Sequence, residues 1–125
     1  RDRYDRSHAT MAQYFNACDV CVLASDHEGS PVAIREALAC NLPVVSVDVG
    51  DVRELIEGLE NCYLVERNPT DMAEKVAMVL NSGMRCRGRE RMQAYDMHHS
   101  ADRVWQIYQG VIDRKNQPGF TDMKG

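Results

Sequence analysis

Ser25-Asp26-His27-Glu28-Gly29-Ser30-Pro31-Val32-Ala33-Ile34-Arg35-Glu36-Ala37-Leu38-Ala39-Cys40 is the stretch around which the chain is organised. Before it runs Asp19-Val20-Cys21-Val22-Leu23-Ala24, an apolar segment that predicts a strand buried on both faces. The backbone then turns at Gly29. Ser30 is a good helix cap, and Pro31 suits a first helical position, where its missing N–H is not needed. The order is strand, tight turn, capped helix. Ligands of open parallel sheets sit at the carboxyl ends of strands. A helix starting there offers unpaired N–H groups and a positive dipole end to an anion such as phosphate.

Two carboxylates belong to this unit. Glu28 lies in the turn and Glu36 about a turn and a half into the helix. At 100° per residue, Ala33, Ile34, Ala37, Leu38 and Cys40 share an apolar face. Glu36 falls at its margin, over Val32 at the i, i+4 spacing, where it can point along a crevice with Glu28 at the mouth of the same crevice. The plainer alternative is a solvated helix residue at 36 and a loop residue at 28.

The string Glu28-Gly29-x-Pro31 with Glu36-Ala37, then Ala39-Cys40-x-x-Pro43-Val44-Val45 and Val49-Gly50, resembles the signature of the family-four retaining glycosyltransferases, glycosyltransferase group 1. The resemblance runs from about Met11 to Leu80 and more loosely beyond. It implies the nucleotide-sugar-binding, C-terminal half of a two-domain glycosyltransferase B fold. It also implies roles. Glu28 would touch hydroxyls of the donor sugar at the reaction centre. Backbone amides around Gly29, Ser30 and Val32 would approach the sugar and diphosphate, and Glu36 would hydrogen-bond the ribose hydroxyls. The donor is a nucleotide-diphosphate sugar; no cofactor and no metal is implied, and no Asp-x-Asp pair stands at a strand end. Two positions depart from the family. Asn41 stands where Gly is usual, a mild change because Asn also tolerates a left-handed helix end. Asp51 often has Gly in its place, and here it reads as a helix cap.

The other elements follow in order. Ser7 caps a helix to Ala17, with Met11, Tyr14 and Phe15 on one side. Pro43 opens a second apolar strand, Val44 to Val47, and Val52 to Glu57 forms a short helix. Asn61 to Val65 reads as a third strand. Thr70 is expected to cap a helix from Met72 to Leu80 whose buried side is Ala73, Val76, Ala77 and Leu80, ended by Ser82-Gly83. A polar helix from Met84 to His98 carries Arg85, Arg87, Arg89 and Arg91, read as a solvated surface with Gly88 weakening its middle. Ser100 caps a last helix with the stripe Val104, Ile107, Tyr108, Val111 and Ile112, flanked by Trp105. The fold class is therefore α/β: a parallel sheet of about three strands flanked by helices, Rossmann-like, with two C-terminal helices. Residues 1–115 form a partial donor-binding domain, opened by a loose charged segment at 1–6, and 116–125 form a tail.

Bulk properties narrow the function. The 125 residues carry a formal net charge of −4, which argues against nonspecific nucleic-acid binding. No run of 18 apolar residues exists to span a membrane. The five cysteines show no disulfide framework. Cys21 on a strand and Cys40 on a helix face suit free thiols of a reducing cytosol, where a longer protein could sit at a membrane surface. Cys18-x-x-Cys21 lacks a second ligand pair, and adjacent His98-His99 reads as a helix end. Segments that hold the donor phosphates in the family, and its acceptor domain, have no counterpart here. The segment alone is thus expected to be inactive, its partners being the nucleotide-sugar donor and a missing N-terminal acceptor domain. An unpaired sheet edge could pair two copies. Alternatives are a non-catalytic nucleotide-sugar-binding module and a receiver-like signalling domain with Asp26 at its strand end.

Overall fold

Parallel pairing of three short strands sets the frame of the computed structural model, which describes residues 7–95 and 97–115, the side chains at 97–99 and 115 aside. In chain order the elements are α1 His8–Ala17, β1 Cys21–Leu23, α2 Val32–Ala39, β2 Val44–Val47, α3 Val52–Ile56, β3 Tyr63–Val65, α4 Pro69–Ser82 and α5 Gly88–Met92. A 3₁₀ turn at Gln93–Tyr95 and α6 Met97–Lys115 complete it. The α/β class and the three-stranded parallel sheet expected from the sequence are what forms. The charged segment 1–6 and the tail 116–125 lie outside the described residues.

The sheet order is β1-β2-β3. Cys21 pairs with Val44 and Leu23 with Ser46; Val45 pairs with Tyr63 and Val47 with Val65. The doubly buried strand is β2, all four residues of which are buried. β1, expected to be buried on both faces, is an edge here, and Val22 is 45% exposed. The register explains it. Val22, Val45 and Tyr63 share a face. The Lys75 ammonium of α4 lies 5.8 Å from the Tyr63 ring centre, so α4 covers that face. It contacts β2 and β3 and leaves Val22 open.

The core gathers Ile34 and Leu38 of α2, Leu42, Val44 and Val45, Val52 and Leu55 of α3, and Val79 of α4. On α4 the buried stripe is rotated from the expected one. Met72, Val76 and Val79 pack inward, while Ala73, Ala77 and Leu80 are exposed or only partly covered. Met72, Val76 and Val79 stand at the i, i+4, i+7 spacing and form one narrow stripe along the helix. The cap also moves: Asn68, not Thr70, caps α4, its Oδ1 accepting from the Thr70 N–H at 2.8 Å, and Pro69 takes the first turn. At the other end Gly83 closes the helix at φ 62°, as the sequence implies. Ser7 caps α1 as expected. Asn41, at φ 55°, closes α2 in the left-handed region.

Residues 84–98 differ most. They form no continuous helix: 84–87 are irregular, and α5 is one short helix pressed on α2. Arg85, Arg87 and Arg89 are exposed, as a solvated surface requires, and Arg91 is half-buried, yet three of the four also have fixed backbone partners. Arg85 donates to the carbonyls of Cys18, Phe15 and Cys40; Arg89 donates to Ala39 O, and Arg91 to Glu54 O and Glu57 O. Each of the three thus satisfies carbonyls at the end of α1, α2 or α3, where backbone acceptors lack helical partners and the dipole end is negative. Arg87 is exposed. Gly88 is buried and packs so closely that a Cβ there would lie 2.7 Å from Leu38 O.

The chain divides into two units, residues 1–93 and residues from Ala94 onward. The second is built on α6. This helix starts at Met97 and runs through His98, His99 and Ser100, so Ser100 does not cap it and the histidines do not end a helix. Its apolar residues Val104, Trp105, Ile107, Tyr108, Val111 and Ile112 are exposed. No described helix is long and apolar enough to cross a membrane.

All five cysteines are free thiols. Cys86 is buried and its thiol lies 3.3 Å from Leu42 O. The two thiols Cys62 and Cys86 titrate against each other, Cys86 held below the usual thiol range and Cys62, with burial, pushed above it.

Candidate functional site

Three loops leave the carboxyl ends of the strands: 24–31 after β1, 48–51 after β2, and 66–68 after β3. The first carries Glu28, Gly29 and Ser30, all exposed. It runs into α2 at Pro31, which is itself the cap residue; its carbonyl accepts from Ile34 N–H at 3.1 Å and Arg35 N–H at 3.4 Å. Helix α2 therefore begins one residue later than the sequence suggests, and Ser30 is freed from capping.

The Asp51 carboxylate is held by Arg35, whose Nη2 donates to Asp51 Oδ2 at 2.6 Å, while Asp51 Oδ1 is buried without a hydrogen-bond partner. Burial pushes the Asp51 carboxyl up, but the hydrogen bond and charge of Arg35, with the Ser30 hydroxyl nearby, outweigh it and hold it below the usual carboxylate range. Asp51 occupies the cap position of α3, yet its side chain makes no capping bond. Beside it Gly50 sits at φ 57°, and a Cβ there would lie 2.4 Å from Gly29 O and 3.0 Å from Glu28 O. The β2 loop thus presses against the turn that carries Glu28.

The start of the β1 loop is held from the β3 side. Arg67 Nη1 donates to Asp26 Oδ1 at 2.8 Å, and Nη2 donates to the carbonyls of Ser25 and Asp26 at 3.1 Å each. Below this bridge a cavity of about 320 Å³ is lined by Ala24, Asp26, Val47, Arg67, Asn68, Pro69 and Met72. Sequence reasoning missed Arg67 as a site-forming residue. The available signal was its place directly after β3, at the rim where ligands bind.

Glu36 sits in the second turn of α2 with 29% of its side chain exposed, 3.5 Å from His8 Nδ1. It lines a groove of about 180 Å³ between α1 and α2, with His8, Met11, Phe15 and Cys40 among its walls. Glu28, expected at the mouth of the same crevice, does not line that groove. Val32, one turn before Glu36, is 64% exposed. A Cβ added at Gly29 would meet no atom within 4 Å, so the turn's outer side is open. Among the described residues no three His, Cys, Asp or Glu side chains are grouped to hold a metal ion.

Comparison with known proteins follows the same region. The family model described as "Glycosyl transferases group 1" matches residues 4–82. A D-inositol 3-phosphate glycosyltransferase of Thermomonospora curvata is 29% identical over 114 residues, 85% of this chain and 26% of that protein. An N,N'-diacetylbacillosaminyl-diphospho-undecaprenol alpha-1,3-N-acetylgalactosaminyltransferase of Campylobacter jejuni is 27% identical over 87% of this chain and 31% of that protein. Among solved structures, sucrose-phosphate synthase from Thermosynechococcus elongatus superposes with a TM-score of 0.75 at 28% identity, over 86% of this chain and 29% of that one. The chain spans between a quarter and a third of the length of these relatives.

Proposed function

Because this chain belongs to the group 1 glycosyltransferases, we propose that it forms the donor-binding part of a retaining glycosyltransferase. It binds a nucleotide-diphosphate sugar, and the enzyme passes the glycosyl group to an acceptor with retention at the anomeric carbon. The observation that carries this reading is the exposed Glu28-Gly29-Ser30 turn at the sheet's carboxyl rim, followed at once by the start of α2 with Glu36 inside it.

Each residue has a role set by its chemistry. The carboxylate of Glu28 accepts from hydroxyls of the donor sugar at the reaction centre. Amides at Gly29, Ser30 and Val32, together with the dipole of α2, favour the diphosphate, whose negative charge grows as it leaves. Glu36 accepts from the ribose hydroxyls, and the exposed Val32 side chain gives that sugar an apolar wall. Charge stabilisation by a helix start and basic side chains removes the need for a metal or other cofactor. The acceptor is bound by protein outside these 125 residues, which by themselves transfer no sugar.

The test is calorimetric titration of the native polypeptide with UDP-glucose, UDP-N-acetylglucosamine and GDP-mannose. Glu36→Ala should weaken the donor that binds by about 1.5–3 kcal/mol, the worth of a hydrogen bond to a charged group. Unchanged affinity would remove Glu36 from the donor site.

A further inference from the structure

Glu28 lies between two points at which the β1 loop is held. The first is Asp26. Arg67 Nη1 donates to Asp26 Oδ1 at 2.8 Å, and Nη2 donates to Ser25 O and Asp26 O at 3.1 Å each. The second is Gly29, whose carbonyl would lie 2.4 Å from a Cβ at Gly50. His27 and Glu28 alone separate Asp26 from Gly29, and all four are exposed, so burial in the core does not place them.

Arg67 works from a fixed base. Val65, two residues before it, is buried at the end of β3, and Pro69, two residues after it, opens α4. Between them the Glu66 N–H donates to Asp71 Oδ2 at 2.8 Å, and the Asn68 N–H donates to Glu66 O at 2.7 Å. The backbone is thus pinned on either side of Arg67. Its planar guanidinium offers a rigid fork of donors, and three oxygens of the β1 loop meet that fork.

We infer that Arg67 is a positioning residue for sugar transfer: it holds the Asp26 end of the turn and so fixes where Glu28 stands. The inference rests on the donor-binding reading above. The two restraints act on different groups. Gly50 bears on Gly29, one of the amides assigned to the donor, and Arg67 bears on the chain just before Glu28. Loss of Arg67 therefore displaces the Glu28 carboxylate and leaves those amides and Glu36 where they were. It lowers turnover more than it weakens donor binding.

The experiment measures nucleoside diphosphate release by the native polypeptide from UDP-glucose, UDP-N-acetylglucosamine and GDP-mannose. The donor turned over fastest is then used with Arg67→Ala, Arg67→Lys and Asp26→Ala, each alone and combined with Glu28→Gln. Misplacing a reacting group by about 1 Å costs roughly a hundredfold. Arg67→Ala should therefore lower kcat by about tenfold to a hundredfold, with KM within about threefold of the parent. Arg67→Lys should lose nearly as much, because an ammonium is a point charge without the fork. Asp26→Ala leaves both carbonyl bonds in place and should lose less. In the Glu28→Gln background the further loss from Arg67→Ala should stay under about twofold, because a group that is gone cannot be misplaced. Arg67→Lys keeps the charge and the stem, and it replaces Arg67→Ala where the latter does not fold. Full activity in Arg67→Ala or Arg67→Lys, a loss confined to KM, or equal losses in both backgrounds overturns the positioning role while leaving the donor reading intact. Turnover of none of the three donors, or full activity in Glu28→Gln, overturns the donor reading and the positioning role with it.

Discussion

A Cβ at position 50 would have nowhere to go. Gly50 combines φ 57° with a carbonyl 2.4 Å from where that Cβ would stand. The backbone angle alone costs a non-glycine residue roughly 1–2 kcal/mol. The close carbonyl forces the turn at Glu28 and Gly29 to shift. Gly58 separates the two effects, since it also has a left-handed φ, 75°, but open space around it. Gly50→Ala should therefore lower stability by at least about 2 kcal/mol, and Gly58→Ala by about 1 kcal/mol. Urea unfolding midpoints of both variants check this; equal losses would show that the contact with Gly29 carries no weight. The sequence marks Gly50 as the end of a strand and the likeness to the family marks it as part of a signature. Neither says which carbonyl it faces, because that depends on how two loops distant in the chain come together. Arg35 was equally hidden: it reads as a helix surface residue, and its pairing with Asp51 is a tertiary fact.

Helices and strands of this chain are legible from periodicity, but their ends are less so. The rule that Pro favours the first helical position points to Asn68 as the cap of α4, and the structure obeys it. Thr70 looks like a cap only if Pro69 is read as part of a turn. Applied to Pro31, the same rule misplaces the start of α2 by one residue, because Pro31 has extended ψ of 111° and acts as the cap position itself. Asn68→Ala should cost about 1 kcal/mol, since it strips an acceptor from the Thr70 N–H. Thr70→Ala should change stability by less than about 0.5 kcal/mol. Thermal melts of the two variants decide between the caps, and a larger loss in Thr70→Ala would return the cap to Thr70. The arginine series shows a different limit. Spacing around a helix axis cannot reveal Arg85, Arg89 and Arg91 as partners of carbonyls at the ends of α1, α2 and α3, because 84–98 is not one helix. Composition signals charge; which acceptor the charge meets is set by the packing of α5 on α2.

At the scale of the whole sheet the decisive fact is which strand is central. Apolar runs at 19–24 and 44–47 look alike in the sequence, yet β2 is fully buried and β1 is an edge. Strand count and parallel pairing could be read from alternation with helices; burial of a given strand could not, since it depends on what lies beside it. The outer side of β1 has no strand partner among the described residues, and Val22 is 45% exposed on the face that α4 leaves open. An edge of this kind offers backbone donors and acceptors together with an apolar side chain, the combination that favours strand-to-strand association. The 125-residue chain should therefore self-associate as concentration rises, seen as a growing sedimentation coefficient. Val22→Lys places a charge on that edge strand, and it should move the association to at least about tenfold higher concentration, equivalent to about 1.4 kcal/mol. Because Val22 contributes little to the core, the melting temperature of the dilute variant should stay near that of the parent. Tyr14→Lys on α1, also an exposed apolar site at 54%, serves as the control for general surface hydrophobicity. If both lysine variants shift association equally, the contact is nonspecific; if Val22→Lys alone shifts it, the β1 edge is the surface through which the copies meet.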